Sequence, residues 1–194
     1  MLVSIVAASV AISLVGRQPN SSVLLPNGQT ITPAGAQIEV NDRPLGIAVS
    51  PDGTQAAVAT ASNFAPRALH IIDLATATVA QTIAIGNSFV GVAFTPDGNT
   101  LYVGGGADND VKIFTKGVNS VWTQAPRIAI SSAAPSGLSL SPAGDKVYVA
   151  LNRRHALGII DTATRAVVQS PEDVRKRGNR FPIGAIGARA ARRL

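Results

Sequence analysis

Short apolar runs separated by small polar clusters occupy most of this chain, and their spacing is regular. Gly46-Ile47-Ala48-Val49 leads into Ser50-Pro51-Asp52-Gly53 and is answered by Ala56-Ala57-Val58-Ala59. The same order recurs twice. It is Gly91-Val92-Ala93-Phe94, Thr95-Pro96-Asp97-Gly98 and Leu101-Tyr102-Val103-Gly104, then Gly137-Leu138-Ser139-Leu140, Ser141-Pro142-Ala143-Gly144 and Val147-Tyr148-Val149-Ala150. Pro51, Pro96 and Pro142 stand 45 and then 46 residues apart. A fixed period of this length marks a tandem repeat.

The polar tetrapeptides predict hairpin turns: proline pre-sets φ, the Ser or Thr before it bonds the backbone ahead, and glycine accepts positive φ. A third strand ends at Ile71-Ile72-Asp73 and Ile159-Ile160-Asp161, with Lys112-Ile113-Phe114 as the counterpart in the second period. In Asp73-Leu74-Ala75-Thr76 and Asp161-Thr162-Ala163-Thr164 the carboxylate is placed to accept backbone N–H groups, an Asx-type reversal. A fourth strand is expected over Val79 to Ile85, Arg127 to Ile130 and Ala166 to Gln169. Four short antiparallel strands per period describe a β-propeller blade. The expected fold class is therefore all-β, a propeller arc of about three four-stranded antiparallel blades plus an incomplete fourth.

The conjunction Pro-x-Gly-aliphatic, Ser-Pro-Asp-Gly, aliphatic-Tyr-Val and Ile-Asp-x-x-Thr resembles the YVTN family of β-propeller repeats over Pro44 to Ser170. The stretch from Gly16-Arg17-Gln18-Pro19 to Pro33-Ala34-Gly35 is similar to the start of bacterial propellers that precede an alkaline-phosphatase-like phosphoesterase domain. The resemblance implies an exported protein, secreted or periplasmic. It also supplies an enzyme alternative, the amino-terminal part of a phosphoesterase or lactonase-like propeller enzyme.

Four regions follow: an apolar signal-like segment 1–16, a leading hairpin and strand 17–43, three blades over 44–178, and a basic divergent tail 179–194. The first segment has no charge and is shorter than the roughly 20 residues of a spanning helix, so no transmembrane span is expected. It reads as a secretory-signal remnant, with a buried strand as the alternative. Asn27-Gly28 between apolar residues predicts a hairpin, and Ile38-Glu39-Val40 a further strand.

Hydrophobic residues make up 46% of the chain and charged ones only 14%, as expected of sheets covered on both faces. With no cysteine there is no disulfide and no thiolate chemistry. The net charge of +6 resides in residues 175–194: Arg175, Lys176, Arg177, Arg180, Arg189, Arg192 and Arg193 have no acid among them, and the remainder carries −1. The tail has one aromatic, Phe181. It is read as a truncated or frameshifted end, with Pro182-Ile183-Gly184-Ala185-Ile186 beginning like a fourth innermost strand, and not as a nucleic-acid arm.

Small residues at Gly46, Gly91 and Gly137 are assigned to crowding where blades converge. Gly104-Gly105-Gly106 follows a strand but opens no helix, which leaves phosphate-binding fingerprints unsupported. Trp122 is placed in a long Lys116–Gln124 connection as a cover over the outer hairpin.

Strand alternation puts the Ser-Pro-Asp-Gly and Ile-Asp-x-x-Thr turns at one end, and the variable polar connections at the other. The candidate ligand-binding residues lie among the latter: Asn63, Arg67, His70, Asp108, Asp110, Asn152, Arg154 and His155. Arg67, Asp108 and His155 count as equivalent positions of three different chemical types, so a symmetric ring of ligands is not encoded. No catalytic residue, cofactor or metal site is assigned: the two histidines are non-equivalent, and no glutamate closes the half calcium loop at Asp108-Asn109-Asp110. The expected partner is an unidentified small molecule or protein at this loop face, together with missing propeller blades or self-association at the open sheet faces.

Overall fold

The computed structural model describes residues 16–17, 22–32, 34–35, 37–61, 66–88 and 90–169. Within them all regular structure is β apart from three single-turn 3-10 segments. Residues 1–15 of the signal-like segment, Asn63, Phe64, the incomplete fourth blade and the basic tail lie outside the described residues. Two compact units divide the chain, Met1–Glu39 and Val40–Leu194.

In the first unit β1 (Gly16–Arg17), β2 (Val23–Leu24) and β3 (Thr30–Ile31) form an antiparallel meander. Asn27-Gly28 reverses the chain as expected: Gly28 takes φ +81° and its N–H donates to the Leu25 carbonyl at 2.9 Å. The strand expected at Ile38-Glu39-Val40 does not form, since no neighbouring strand pairs with these residues.

The second unit holds three four-stranded blades. The first is β4 (Pro44–Val49), β5 (Gln55–Thr60), β6 (Ala68–Asp73) and β7 (Thr78–Ala84). The second is β8 (Val92–Phe94), β9 (Thr100–Gly104), β10 (Asp110–Lys116) and β11 (Trp122–Ala129). The third is β12 (Pro135–Leu140), β13 (Lys146–Leu151), β14 (Ala156–Asp161) and β15 (Val167–Gln169). Every strand pairs only with its sequence neighbours, antiparallel throughout.

The repeated turns work by one mechanism. Ser50 Oγ accepts the Gln55 N–H at 2.9 Å and donates to Asp52 Oδ1 at 2.6 Å, while Gly53 stands at φ +69°. Thr95 and Thr100 repeat the first contact at 3.0 Å. The third turn has Ala143 where the others have Asp, and Asp145 substitutes by accepting from Ser141 Oγ at 2.6 Å. Ser50 and then Thr54 hold the Asp52 carboxyl at about 2, so the turn carboxylates are ionised at neutral pH. At the same end the Asp73 and Asp161 carboxylates accept Thr76 N–H at 2.8 Å and Thr164 N–H at 2.9 Å, the Asx reversals expected from sequence.

Two apolar layers fill the seams between blades. Ala57, Ala59, Leu69 and Ile71 of the first blade meet Phe94, Leu101, Val103 and Phe114 of the second. Tyr102, Val111, Ile113 and Ile128 of the second meet Val147, Val149, Leu151 and Ile160 of the third. β10 is therefore buried on both faces, with Phe114 in the first layer and Val111 and Ile113 in the second. At the innermost strands a Cβ on Gly46 would overlap the Val90 carbonyl oxygen, and one on Gly91 the Ser136 carbonyl oxygen. Only glycine permits that approach.

Two placements differ from expectation. β11 begins at Trp122, not at Arg127, because Lys116 pairs with Trp122 across a tight turn at 117–121. Trp122 is consequently no cover over the hairpin. It is 2% exposed within the first seam, edge-on to Phe94 at 5.6 Å, and its Nε1–H donates to Gln55 Oε1 at 3.2 Å. Gln81 completes the bolt, accepting the Trp122 N–H and donating to its carbonyl, each at 2.8 Å. The other difference concerns register: β10 extends to Lys116, so Thr115 and not Phe114 stands level with Asp73 and Asp161. Asn109, not Asp108, is then the counterpart of Arg67 and His155. Asn109 and His155 share the left-handed conformation, φ 55° and 50°.

Candidate functional site

Strand pairing places the β5–β6, β9–β10 and β13–β14 connections and both blade-to-blade crossings at one end of the second unit. Polar residues concentrate there because backbone leaving a sheet needs partners other than the ladder.

Much of that polarity secures the crossings. Arg67 Nη1 donates to the carbonyls of Asn87 at 2.9 Å and Ser88 at 3.0 Å, holding the crossing between the first two blades from one side. Asp108 holds it from the other: Oδ2 accepts the Asn87 N–H at 2.9 Å and Oδ1 the Asn87 Nδ2 at 2.8 Å. In the next crossing Asn109 Oδ1 accepts the Ala134 N–H at 3.0 Å, and the Arg154 guanidinium donates to the Ser131 carbonyl. Arg67, Asp108 and Arg154, singled out as ligand candidates, thus fasten blades together. Asn109 belongs with them and was missed through the register error described above.

Beneath the first crossing lies a charged cluster. Lys112 Nζ donates to Asp108 Oδ2 at 2.8 Å and Asp110 Oδ1 at 2.9 Å, and Arg127 Nη1 reaches Asp110 Oδ2 at 3.2 Å. The Asp110 side chain is 1% exposed and that of Lys112 6%, whereas that of Arg127 is 63% exposed. Such burial is tolerated because each charge has an opposite partner and hydrogen bonds. Burial raises the Asp108 carboxyl, but Lys112 and Asn87 outweigh it and hold the group at about 2. Its lone pairs are occupied and its affinity for protons is low, which suits a clamp and not a general base at neutral pH.

His70 does not reach the loop face. It sits in β6, 3% exposed, with Nε2 at 2.7 Å from Asn41 Oδ1 and Nδ1 at 3.0 Å from Thr82 Oγ1. With the amide so oriented, Nε2 carries the proton and Nδ1 accepts from the threonine hydroxyl. Burial pushes its pKa down, so the ring is neutral at physiological pH.

The exposed part of the site is the third blade's connection, where a 3-10 turn over Asn152–Arg154 leads to His155. Asn152, Arg153 and His155 are exposed, and their backbones are fixed by bonds from Asn152 N–H to Ala134 O and Arg153 N–H to Ala133 O. Among the described residues the Arg153 and His155 side chains make no hydrogen bond. Arg127 adds a third exposed positive or titratable group at this end. No group of three or more His, Cys, Asp or Glu side chains among the described residues is placed to hold a metal ion. Also among them, no helix is long and apolar enough to cross a membrane.

No protein-family model and no curated protein matches the chain. Solved structures do. A hydrazine synthase from Kuenenia stuttgartiensis is 27% identical over 71% of this chain and 38% of its own, with a TM-score of 0.56. A Bacteroides uniformis protein assigned as a 6-phosphogluconolactonase is 12% identical over 80% of this chain and 51% of its own, with a TM-score of 0.58. The β-propeller domain of a Myceliophteria thermophila protein is 18% identical over 66% of this chain and 42% of its own, with a TM-score of 0.53. The chain spans about two-fifths to one-half of these structures. Together with the three blades, they show that its fold is that of a β-propeller.

Proposed function

We propose that this chain is a non-catalytic binding module of the YVTN propeller type, acting outside the cytoplasm, that takes an acidic segment of a partner protein at its connection end. The observation that carries the reading is the division of labour among the polar residues there. Asp108 and Asp110 are neutralised within the molecule by Lys112 and Arg127, while Arg153 and His155 stand outward on a backbone fixed to the preceding crossing. A rigid scaffold presenting uncommitted basic side chains favours an anionic ligand and speeds its encounter. The apolar segment at residues 1–16 and the family resemblance support export. The lactonase likeness is one of fold at 12% identity and carries no active-site residue to this chain.

Fluorescence anisotropy of a labelled deca-glutamate peptide with the full chain tests the proposal. Arg153→Glu combined with His155→Ala is expected to weaken binding at least tenfold, whereas Arg189→Gln, Arg192→Gln and Arg193→Gln together leave it within twofold. The reverse pattern would assign anion binding to the tail and refute the reading. So would hydrolysis of p-nitrophenyl phosphate or a sugar lactone that is lost on changing Arg67, Asp108 or His155.

A further inference from the structure

The two units hold chemically similar turns in different ways. Asn27-Gly28 is the one Asn-Gly pair in the sequence, and Asp52-Gly53 and Asp97-Gly98 are its Asp-Gly relatives. The three glycines share a positive φ, +81°, +69° and +69°, and each N–H donates at 2.9 Å to the carbonyl three residues back, that of Leu25, Ser50 or Thr95. Only the side chains differ. Asp52 Oδ1 accepts from Ser50 Oγ at 2.6 Å and from the Thr54 N–H at 3.0 Å, and Asp97 Oδ1 accepts from Thr95 Oγ at 2.5 Å and from the Asn99 N–H at 3.1 Å. Such bonds favour the ionised carboxylate, whose carbon resists attack by a neighbouring amide because it has no good leaving group. Asn27 instead offers a neutral amide. Its Oδ1 accepts the Gln29 N–H at 3.1 Å, which draws electron density from Cγ and stabilises an oxyanion formed there. Asn27 and Gly28 are both exposed, and nothing lies within 4 Å of the position a Cβ on Gly28 would take.

We propose that Asn27 is a site of spontaneous self-modification: the Gly28 nitrogen loses its proton and attacks Asn27 Cγ, the Cγ–Nδ2 bond breaks to release ammonia, and water opens the resulting succinimide to aspartate or isoaspartate. This is independent of the ligand proposed above. One contact opposes ring closure, since the Gly28 N–H must first leave the Leu25 carbonyl. The hairpin around it is short. β2 and β3 have two residues each, whereas the strands joined by the Asp52-Gly53 turn have six each, so local opening is far easier at Asn27. Isoaspartate routes the main chain through the former side chain. It adds one backbone atom to the turn, and it brings a negative charge to residues 22–32, which have no ionisable side chain. The pairing of Val23 with Ile31 and of Leu24 with Thr30 then loses its register, an irreversible change within the first unit.

Incubation of the full chain at mildly alkaline pH, followed by peptide mapping with mass spectrometry, tests the proposal. Asn27 is expected to gain the mass of one deamidation, with isoaspartate among the products, at least tenfold faster than Asp52 or Asp97 isomerises. An unchanged Asn27, α-aspartate as the sole product, or isoaspartate formed as fast at Asp52 or Asp97 would overturn it. Gly28→Ala is expected to slow the reaction at least tenfold by crowding the attacking nitrogen, and an unchanged rate would refute the ring-closing route. Because that variant also strains the turn, Asn27→Gln supplies a second measurement. Glutamine closes a six-membered ring much more slowly, so residue 27 should stay unmodified; deamidation there at the wild-type rate would likewise sink the proposal.

Discussion

The second and third blades present equivalent faces to different surroundings. Tyr102, Val111 and Ile113 on the second are sealed beneath Val147, Val149 and Ile160, while among the described residues no such layer lies over Tyr148, Leu157 and Ile159 on the third. The residue types scarcely change between the two faces. Burial in this fold is thus a property of the neighbour as much as of the sequence, and a blade's stability depends on what stacks against it.

The sharpest test deletes the bolt of a covered seam. Trp122→Ala should cost about 3–5 kcal/mol in urea unfolding, as expected for a fully buried aromatic, with the lost indole N–H bond to Gln55 adding to the effect. Next in size, Ile113→Ala on the covered face should cost about 2–5 kcal/mol, whereas Leu157→Ala on the uncovered face should stay within about 0.5 kcal/mol. Equal effects would erase the distinction between the faces. Gly91→Ala should then destabilise by about 1–3 kcal/mol because of the Ser136 carbonyl, while Gly137→Ala leaves the main transition within about 0.5 kcal/mol. The smallest effect concerns charge. The Asp108 carboxyl should titrate near pH 2 by carbon NMR and move upward in Lys112→Met. Since its folded value lies below the unfolded one, its contribution to stability is present above about pH 4 and fades as pH falls toward 2.

The repeat was legible because its determinants are local. A Ser-Pro-Asp-Gly turn needs only its own residues and the two strands it joins, and the glycines at 46 and 91 are required wherever such strands converge. The connection end was less legible because its roles are set by tertiary partners. Nothing in the sequence near Arg67 or Asp108 announces Asn87, some 20 residues away, as their shared target. His70 was grouped with the loop residues, whereas β6 begins at Ala68 and carries it within the sheet. Trp122 was misplaced because 117–121 turns through left-handed Asn119 and Ser120 with no glycine at either position. One signal was available: Gln55 opens the apolar run Ala56–Ala59, and a buried amide side chain demands a polar partner.

The glycine-and-carbonyl stacking at Gly46 and Gly91 also sets the pitch of the fan. Each such contact fixes how closely two neighbouring sheets approach at the hub, and the outer strands then splay according to the bulk wedged between them, Trp122 on one side and Ile128 on the other. A methyl group at either glycine would drive the hub apart without altering the rim. The wedge angle would narrow, and more blades would be needed to complete a circle. Curvature in this protein is therefore dictated by two missing side chains at its narrowest point.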